Sequence, residues 1–74
     1  MIDVKDLKIG MKVLFKTEEE LTADGIEFGS GDIWGTVVTI EGFGKDPFNE
    51  SEDVIHIEEA CGCWGVPTIK EIVQ

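Results

Sequence analysis

The segment VIHIEEACGCWGV, residues 54–66, decides the fold that the sequence predicts. Two runs with strand-forming side chains, Val54–Glu58 and Cys63–Val66, flank a turn centred between residues 60 and 61. One register places apolar residues opposite apolar residues and polar residues opposite polar ones. That register pairs Ile57 with Trp64, Ile55 with Val66, Glu58 with Cys63 and His56 with Gly65. The segment therefore predicts a β-hairpin with one apolar face.

Two further strands precede this hairpin. Met11, Val13 and Phe15 alternate with Lys12, Leu14 and Lys16, which is the period of a half-buried strand. The run Trp34–Ile40 is rich in β-branched residues and predicts a second strand. Thr17–Glu20 has the form of a helix capping box, and Gly25 is placed to end a helix of one or two turns. The polar stretch Glu41–Asp53 predicts a long exposed loop.

The C-terminal region leaves two alternatives open. Pro67 interrupts the hairpin's second strand because it has no N–H to donate. Beyond it, Thr68–Glu71 fits a second capping box, whereas Ile69–Val73 fits a last short strand that closes the sheet. The resulting order of elements resembles an SH3-like barrel, in which residues 62–72 lead through a 3₁₀ turn into the last strand. We expect a mostly β fold, a small five-stranded SH3-like barrel with one or two short helical turns.

Length and composition limit the kind of protein that this chain can be. The 74 residues suit one small domain, residues 1–74, and 42% hydrophobic residues are enough to form a core. No apolar run approaches a membrane span, and the first residues do not resemble a signal peptide. Two cysteines are too few for the several disulfide bonds that stabilise a small secreted protein. We therefore expect a cytoplasmic protein that does not bind membranes.

Charge is the strongest functional signal. The chain has 16 acidic residues, six lysines and no arginine, for a net charge of −10. Residues 1–16 are slightly basic, so the acidity is concentrated in residues 17–74. Such a surface repels nucleic acid, because phosphate binding requires lysine and arginine. It attracts proteins that have basic surfaces, although acidity can also serve solubility alone.

Three short motifs resemble small proteins encoded by phages and prophages of Gram-positive bacteria. The motifs are DLKIGMKV at residues 6–13, GTVVTI at residues 35–40 and IEEACGCWG at residues 57–65. The peptide-binding SH3 domains differ, since this chain lacks tyrosine and their ALYDY motif. The resemblance implies a phage-linked origin and no enzymatic activity. The longer acidic loops and the Cys-Gly-Cys sequence depart from the pattern of those proteins.

The candidate partner-binding residues are acids concentrated in two places, together with two aromatic residues of the acidic loop. They are Glu18, Glu19, Glu20, Phe43, Asp46, Phe48, Glu50, Glu52 and Asp53. An alternative for the two phenylalanines is that they fold back and cover an open end of the barrel.

The sequence gives little support for a metal site or for nucleophilic catalysis. His56, Cys61 and Cys63 are weak candidate zinc ligands, because Cys-x-Cys is tighter than the usual ligand spacing. The alternative is two ordinary thiols and a solvated imidazole. An open strand face gives Cys63 and His56 neither a pocket nor an oxyanion hole, so we expect no enzyme and no cofactor.

We therefore expect a small acidic phage or prophage accessory protein. Its acidic face would bind a protein with a basic surface, and it could inhibit a nucleic-acid-handling or defence enzyme by mimicking nucleic acid. The chain would be a monomer or a small homo-oligomer. The competing classes are a structural module that self-associates through an edge strand or exposed phenylalanines, and a small zinc-binding module.

Overall fold

A computed structural model of the chain describes residues 2–46, 48 and 51–73. The elements, in chain order, are a 3₁₀ turn Val4–Asp6, β1 Lys12–Phe15, α1 Glu18–Ala23, β2 Val37–Lys45, β3 Asp53–Ile57, β4 Trp64–Gly65, a 3₁₀ turn Val66–Thr68 and β5 Ile69–Ile72. The five antiparallel strands form one sheet with the order β4-β3-β2-β1-β5. The fold is mostly β, as the sequence predicts.

The core lies on the inner face of this sheet. Alternate residues of β1 and β2 point inward, so Val13, Phe15, Val38 and Ile40 are buried. The core is completed by Leu7, Ile55, Ile57 and Ile69. The alternation predicted for the first strand is confirmed.

The predicted exposed loop at residues 41–53 is wrong for its first five residues and for Asp53, which begins β3. β2 continues to Lys45, and a register irregularity between Ile40 and Gly42 bends it, so that its first half pairs with β1 and its second half with β3. Glycines in a polar stretch favour a loop, but a Cβ atom at Gly44 would lie only 3.0 Å from His56 Nε2. Here glycine makes room for a cross-strand imidazole.

The hairpin of β3 and β4 exists, but its predicted register is wrong by two residues. Ile55 pairs with Trp64, and Val54 pairs with Gly65. A shift of two residues leaves each side chain on its predicted face, because strand side chains alternate with period two. The connection is accordingly longer than a tight turn and spans residues 58–63. The hydrophobic pattern fixes the faces but does not distinguish registers that differ by two.

The helix prediction is confirmed in detail. Thr17 Oγ1 accepts a hydrogen bond from the Glu20 N–H, and the Glu20 carboxylate accepts one from the Thr17 N–H. At the other end, Gly25 has φ +71° and its N–H donates to Thr22 O, while the Ile26 N–H donates to Leu21 O. This is a Schellman ending, which requires the left-handed conformation that glycine adopts readily.

Trp34 does not begin the second strand. It lies in the turn of residues 32–35, which ends at Gly35 with φ +75°. The strand begins at Val37 instead. A Cβ atom at position 35 would lie 3.1 Å from Thr17 Cγ2, so the turn packs closely against the start of α1. This turn moves the Trp34 indole off the sheet and into the long β1–β2 connection.

The C-terminal alternatives resolve in favour of a strand. A 3₁₀ turn at Val66–Thr68 leads into β5, which pairs with β1. The sheet is not closed into a barrel, because no ladder joins β4 to β5 within the residues that the structure describes. Among those residues, no helix has the length and apolar character needed to cross a bilayer.

Candidate functional site

The three consecutive glutamates of α1 do not share one role. Glu18 and Glu19 are exposed and form no ion pair with a described lysine. Glu20 is part of the capping box, and its carboxylate lies 3.1 Å from Lys70 Nζ of β5. The hydrogen bond from the Thr17 backbone N–H, with Lys70 beside it, holds the pKa of Glu20 below its usual value. Glu20 therefore has a structural role, and the other two remain open to solvent.

The second predicted acidic group surrounds the β2–β3 loop. Asp53 forms an ion pair with Lys45 across the loop's base. The Asp46 carboxylate accepts a hydrogen bond of 2.8 Å from the Phe48 N–H. Glu52 is exposed, and Glu50 lies outside the described residues. Two of these acids thus stabilise the loop in addition to giving it charge.

The two phenylalanines of this region have different exposures. Phe43 lies on β2 opposite Ile55 and is 39% exposed, whereas Phe48 lies in the loop and is 98% exposed. Neither is buried, so the alternative in which both fold back to cover an open end of the barrel is wrong for Phe48.

The structure brings a different set of residues together, in a cleft that we call the aromatic cleft. It has a volume of about 390 Å³ and lies between the β1–β2 connection and the β3–β4 hairpin. Its lining comprises Glu27, Phe28, Gly29, Trp34, Asp46, Val54, Cys61, Gly62, Cys63, Trp64, Gly65 and Thr68. Segments far apart in the sequence therefore build one concave surface.

The two tryptophans of the aromatic cleft rest on the same core residue. Buried Phe15 lies 5.4 Å from Trp34 and 6.2 Å from Trp64, measured between ring centroids. Phe28 packs edge-on against Trp34 at 5.7 Å. The Trp34 indole is fixed further by a hydrogen bond of 2.8 Å from Nε1 to Gly29 O. The aromatic surface is thus held by the core before any ligand binds.

The polar groups of the aromatic cleft are mostly acceptors. Glu27 and Asp46 contribute carboxylates, and none of the described lining residues is a lysine. Trp64 is half-buried, and its Nε1–H has no acceptor among the described residues and is not sealed from solvent, so it is an available donor. The aromatic cleft therefore combines ring faces, carboxylates and one free indole N–H, which suits a cationic ligand that has a carbonyl group.

His56, Cys61 and Cys63 do not assemble into a metal site. His56 Nδ1 lies 2.9 Å from Gly62 O, and its ring packs over Gly44. No group of three or more histidine, cysteine, aspartate or glutamate side chains among the described residues is arranged to hold a metal ion. Both cysteines are free thiols and exposed.

Glu59 fixes the hairpin loop that forms one wall of the aromatic cleft. Its two carboxylate oxygens lie 2.9 and 3.1 Å from the Thr39 backbone nitrogen, and the Glu58 N–H donates to Thr39 O. Desolvation raises the pKa of Glu59, but the hydrogen bonds from Thr39 outweigh it and hold the pKa below its usual value. The loop is anchored to β2 on one side and to His56 on the other.

The sequence does not predict this cleft, because its lining residues come from six separate stretches of the chain. The local pattern predicts strands at Trp34 and Trp64 and indicates no role for Glu27 or Phe28. The one available signal was the concentration of aromatic residues beside glycines, at Phe28-Gly29, Trp34-Gly35 and Trp64-Gly65. No family model matches the chain, and comparisons with curated proteins and with solved structures find no match.

Proposed function

We propose that this chain is a non-enzymatic protein-binding module, which binds a basic segment of a partner protein in the aromatic cleft. The observation that carries the proposal is a preorganised concave surface with two tryptophans, two carboxylates and no lysine in its described lining. Aromatic residues in a cleft are typical of binding hot spots.

Charge favours a cationic segment over other ligands. Lys16, next to Phe15 in the chain, pairs with Asp24 at 3.0 Å, and Lys45, next to the lining residue Asp46, pairs with Asp53. These cations are occupied, whereas Glu27 has no described hydrogen-bond or ion-pair partner. The net charge of −10 adds a long-range attraction that accelerates association at low salt.

Binding would use the groups that the cleft already presents. An arginine or lysine side chain lies over the Trp34 or Trp64 ring, where the negative ring face and the Glu27 carboxylate both attract it. The free Trp64 Nε1–H donates to a carbonyl of the bound segment. The exposed acids Glu18, Glu19 and Glu52 extend the attraction around the molecule.

The finer assignment of the fold belongs to the same proposal. An SH3-like topology is supported by the strand order, by the bend that divides β2 between two partners, and by the 3₁₀ turn before β5. The phage-linked origin rests on the resemblance of the three short sequence motifs. One prediction concerns the identity of the basic partner. It would be a nucleic-acid-handling or defence enzyme, which this protein would inhibit by mimicking nucleic acid.

The test compares two charge reversals that change the net charge equally. Glu27→Lys lies in the aromatic cleft and Glu71→Lys lies on β5, and both side chains are exposed. The probe is a short peptide of alternating arginine and glycine, and binding is measured by isothermal titration calorimetry. We expect Glu27→Lys to weaken binding by about 1–2 kcal/mol, roughly five- to thirtyfold, because an attraction becomes a repulsion.

The matched control shows whether peptide binding depends on the position of the charge in the aromatic cleft or only on the net charge of the protein. Glu71→Lys should change the dissociation constant less than about threefold, since Glu71 is not part of the cleft lining and salt weakens the interaction of exposed charges that are not in contact, with a Debye length of about 10 Å at 0.1 M. Equal weakening by both variants would show that the peptide follows net charge alone. That result would contradict the aromatic cleft as the binding site.

A further inference from the structure

The Cys61-Gly62-Cys63 sequence carries a chemistry that peptide binding does not use. These are the only two cysteines of the chain, and both thiols are free and exposed in one loop. The chain bends at residues 58–62, and Gly62 has φ +125°, a conformation that glycine adopts readily. A loop with two accessible thiols on either side of a glycine is suited to a bridge.

Chain geometry allows the two sulfurs to meet. Only two Cα–Cα steps of about 3.8 Å separate the two cysteines. Two such steps keep the Cα atoms within about 7.6 Å of each other, and a disulfide bridges Cα atoms roughly 4.4–6.8 Å apart. A ring this small is strained, and strained exposed disulfides are the labile ones that are reduced easily.

We propose that Cys61 and Cys63 are a redox-active dithiol, which forms a reversible disulfide by exchange with small disulfides such as oxidised glutathione. One cysteine thiolate attacks oxidised glutathione, forms a mixed disulfide and releases one glutathione. The other cysteine attacks the protein sulfur of that mixed disulfide and releases the second glutathione. The two thiol protons and two electrons of the protein end on two molecules of glutathione, and excess glutathione reverses both steps.

The same loop connects the dithiol to the aromatic cleft. A Cβ atom at Gly62 would lie 3.5 Å from Trp64 Cη2, so the indole packs against this glycine. The carbonyl oxygen of Gly62 contacts His56 Nδ1 at 2.9 Å. Closing a bridge across Gly62 reorients its peptide group and therefore changes the environment of Trp64, whereas Trp34 lies on the opposite wall.

The test incubates the folded chain in glutathione buffers of increasing oxidised fraction, followed by acid quenching, alkylation and intact-mass measurement. We expect a monomer that lacks two hydrogens, accepts no alkyl group and returns to the dithiol in reduced glutathione. It should exceed glutathionylated forms roughly tenfold, because the second thiol attacks intramolecularly. Cys61→Ser and Cys63→Ser should each stop at one mixed disulfide.

Other products would overturn the proposal. Two glutathiones per chain, disulfide-linked dimers, or full alkylation in the most oxidising buffer would each show that the bridge does not form. In the oxidised protein, the Trp64 indole N–H resonance should shift while the Trp34 resonance stays in place, and an unmoved Trp64 resonance would overturn the connection to the cleft. None of these readouts depends on peptide binding, so the dithiol and the proposed function fail separately.

Discussion

Replacing Phe15 with leucine removes the ring on which both tryptophans of the aromatic cleft rest. Phe15 is fully buried, and its ring lies 5.4 Å from Trp34 and 6.2 Å from Trp64. An aromatic pair contributes about 0.5–1.5 kcal/mol beyond the burial of its area, so the loss of both pairs costs about 1–3 kcal/mol. The smaller volume of leucine adds a cavity contribution in the same direction.

This loss is large for a chain of this length. At roughly 0.05–0.15 kcal/mol per residue, the free energy of unfolding should be about 4–11 kcal/mol, so Phe15→Leu should fold but be clearly weakened. The assay is urea unfolding followed by far-UV circular dichroism. The control is Ile9→Ala, since Ile9 is 69% exposed and its truncation should cost less than about 0.5 kcal/mol. An equally small effect of Phe15→Leu would refute the packing account of the cleft.

Three further outcomes follow from local geometry. Gly35→Ala should lower the free energy of unfolding by more than about 1 kcal/mol, because φ is +75° and the new Cβ would lie 3.1 Å from Thr17 Cγ2. The control is Gly29→Ala, which has open space around it and should be nearly neutral. Both variants are compared by thermal unfolding. Thr17→Ala should lower the free energy of unfolding by about 1 kcal/mol through loss of the helix cap, seen as faster amide exchange in α1. The folded-state pKa values of Glu20 and Glu59 lie below the usual 4.5, so ionisation of these carboxylates favours the folded state. Their contribution to stability is present above pH 4.5 and is lost as the pH falls through the folded-state pKa values. Urea midpoints measured down the acid limb should therefore fall less steeply in Glu59→Gln than in the unsubstituted chain.

Local patterns predict much of the fold. The alternation of β1, the capping box at Thr17 and the helix ending at Gly25 depend on neighbours in the sequence, and all three are confirmed. The faces of the β3–β4 hairpin were predicted for the same reason. The predicted register is wrong by two residues, because a shift of one strand by two residues preserves every face and only the length of the loop distinguishes the alternatives.

Strand pairing between distant segments determines the parts of the fold that local sequence patterns do not predict. Gly42 and Gly44 favour a loop by propensity, but the ladder between β2 and β3 and the Lys45–Asp53 ion pair keep this stretch in the sheet. The candidate site depends still more on tertiary packing. Its charged surface follows from composition, whereas the meeting of Trp34 and Trp64 over Phe15 follows only from the folded chain.

The most direct test of the central claim is an NMR titration of the isotope-labelled chain with the arginine–glycine peptide at about 0.15 M salt, where exposed charges beyond about 8 Å are screened. We predict saturable shifts of the Trp34 and Trp64 indole N–H resonances and of the Glu27 and Phe28 amides, with little change at Glu71. A glutamate–glycine peptide should produce no shifts. Shifts confined to the glutamates of α1 and the β2–β3 loop, with both indole resonances unmoved, would contradict a binding site in the aromatic cleft.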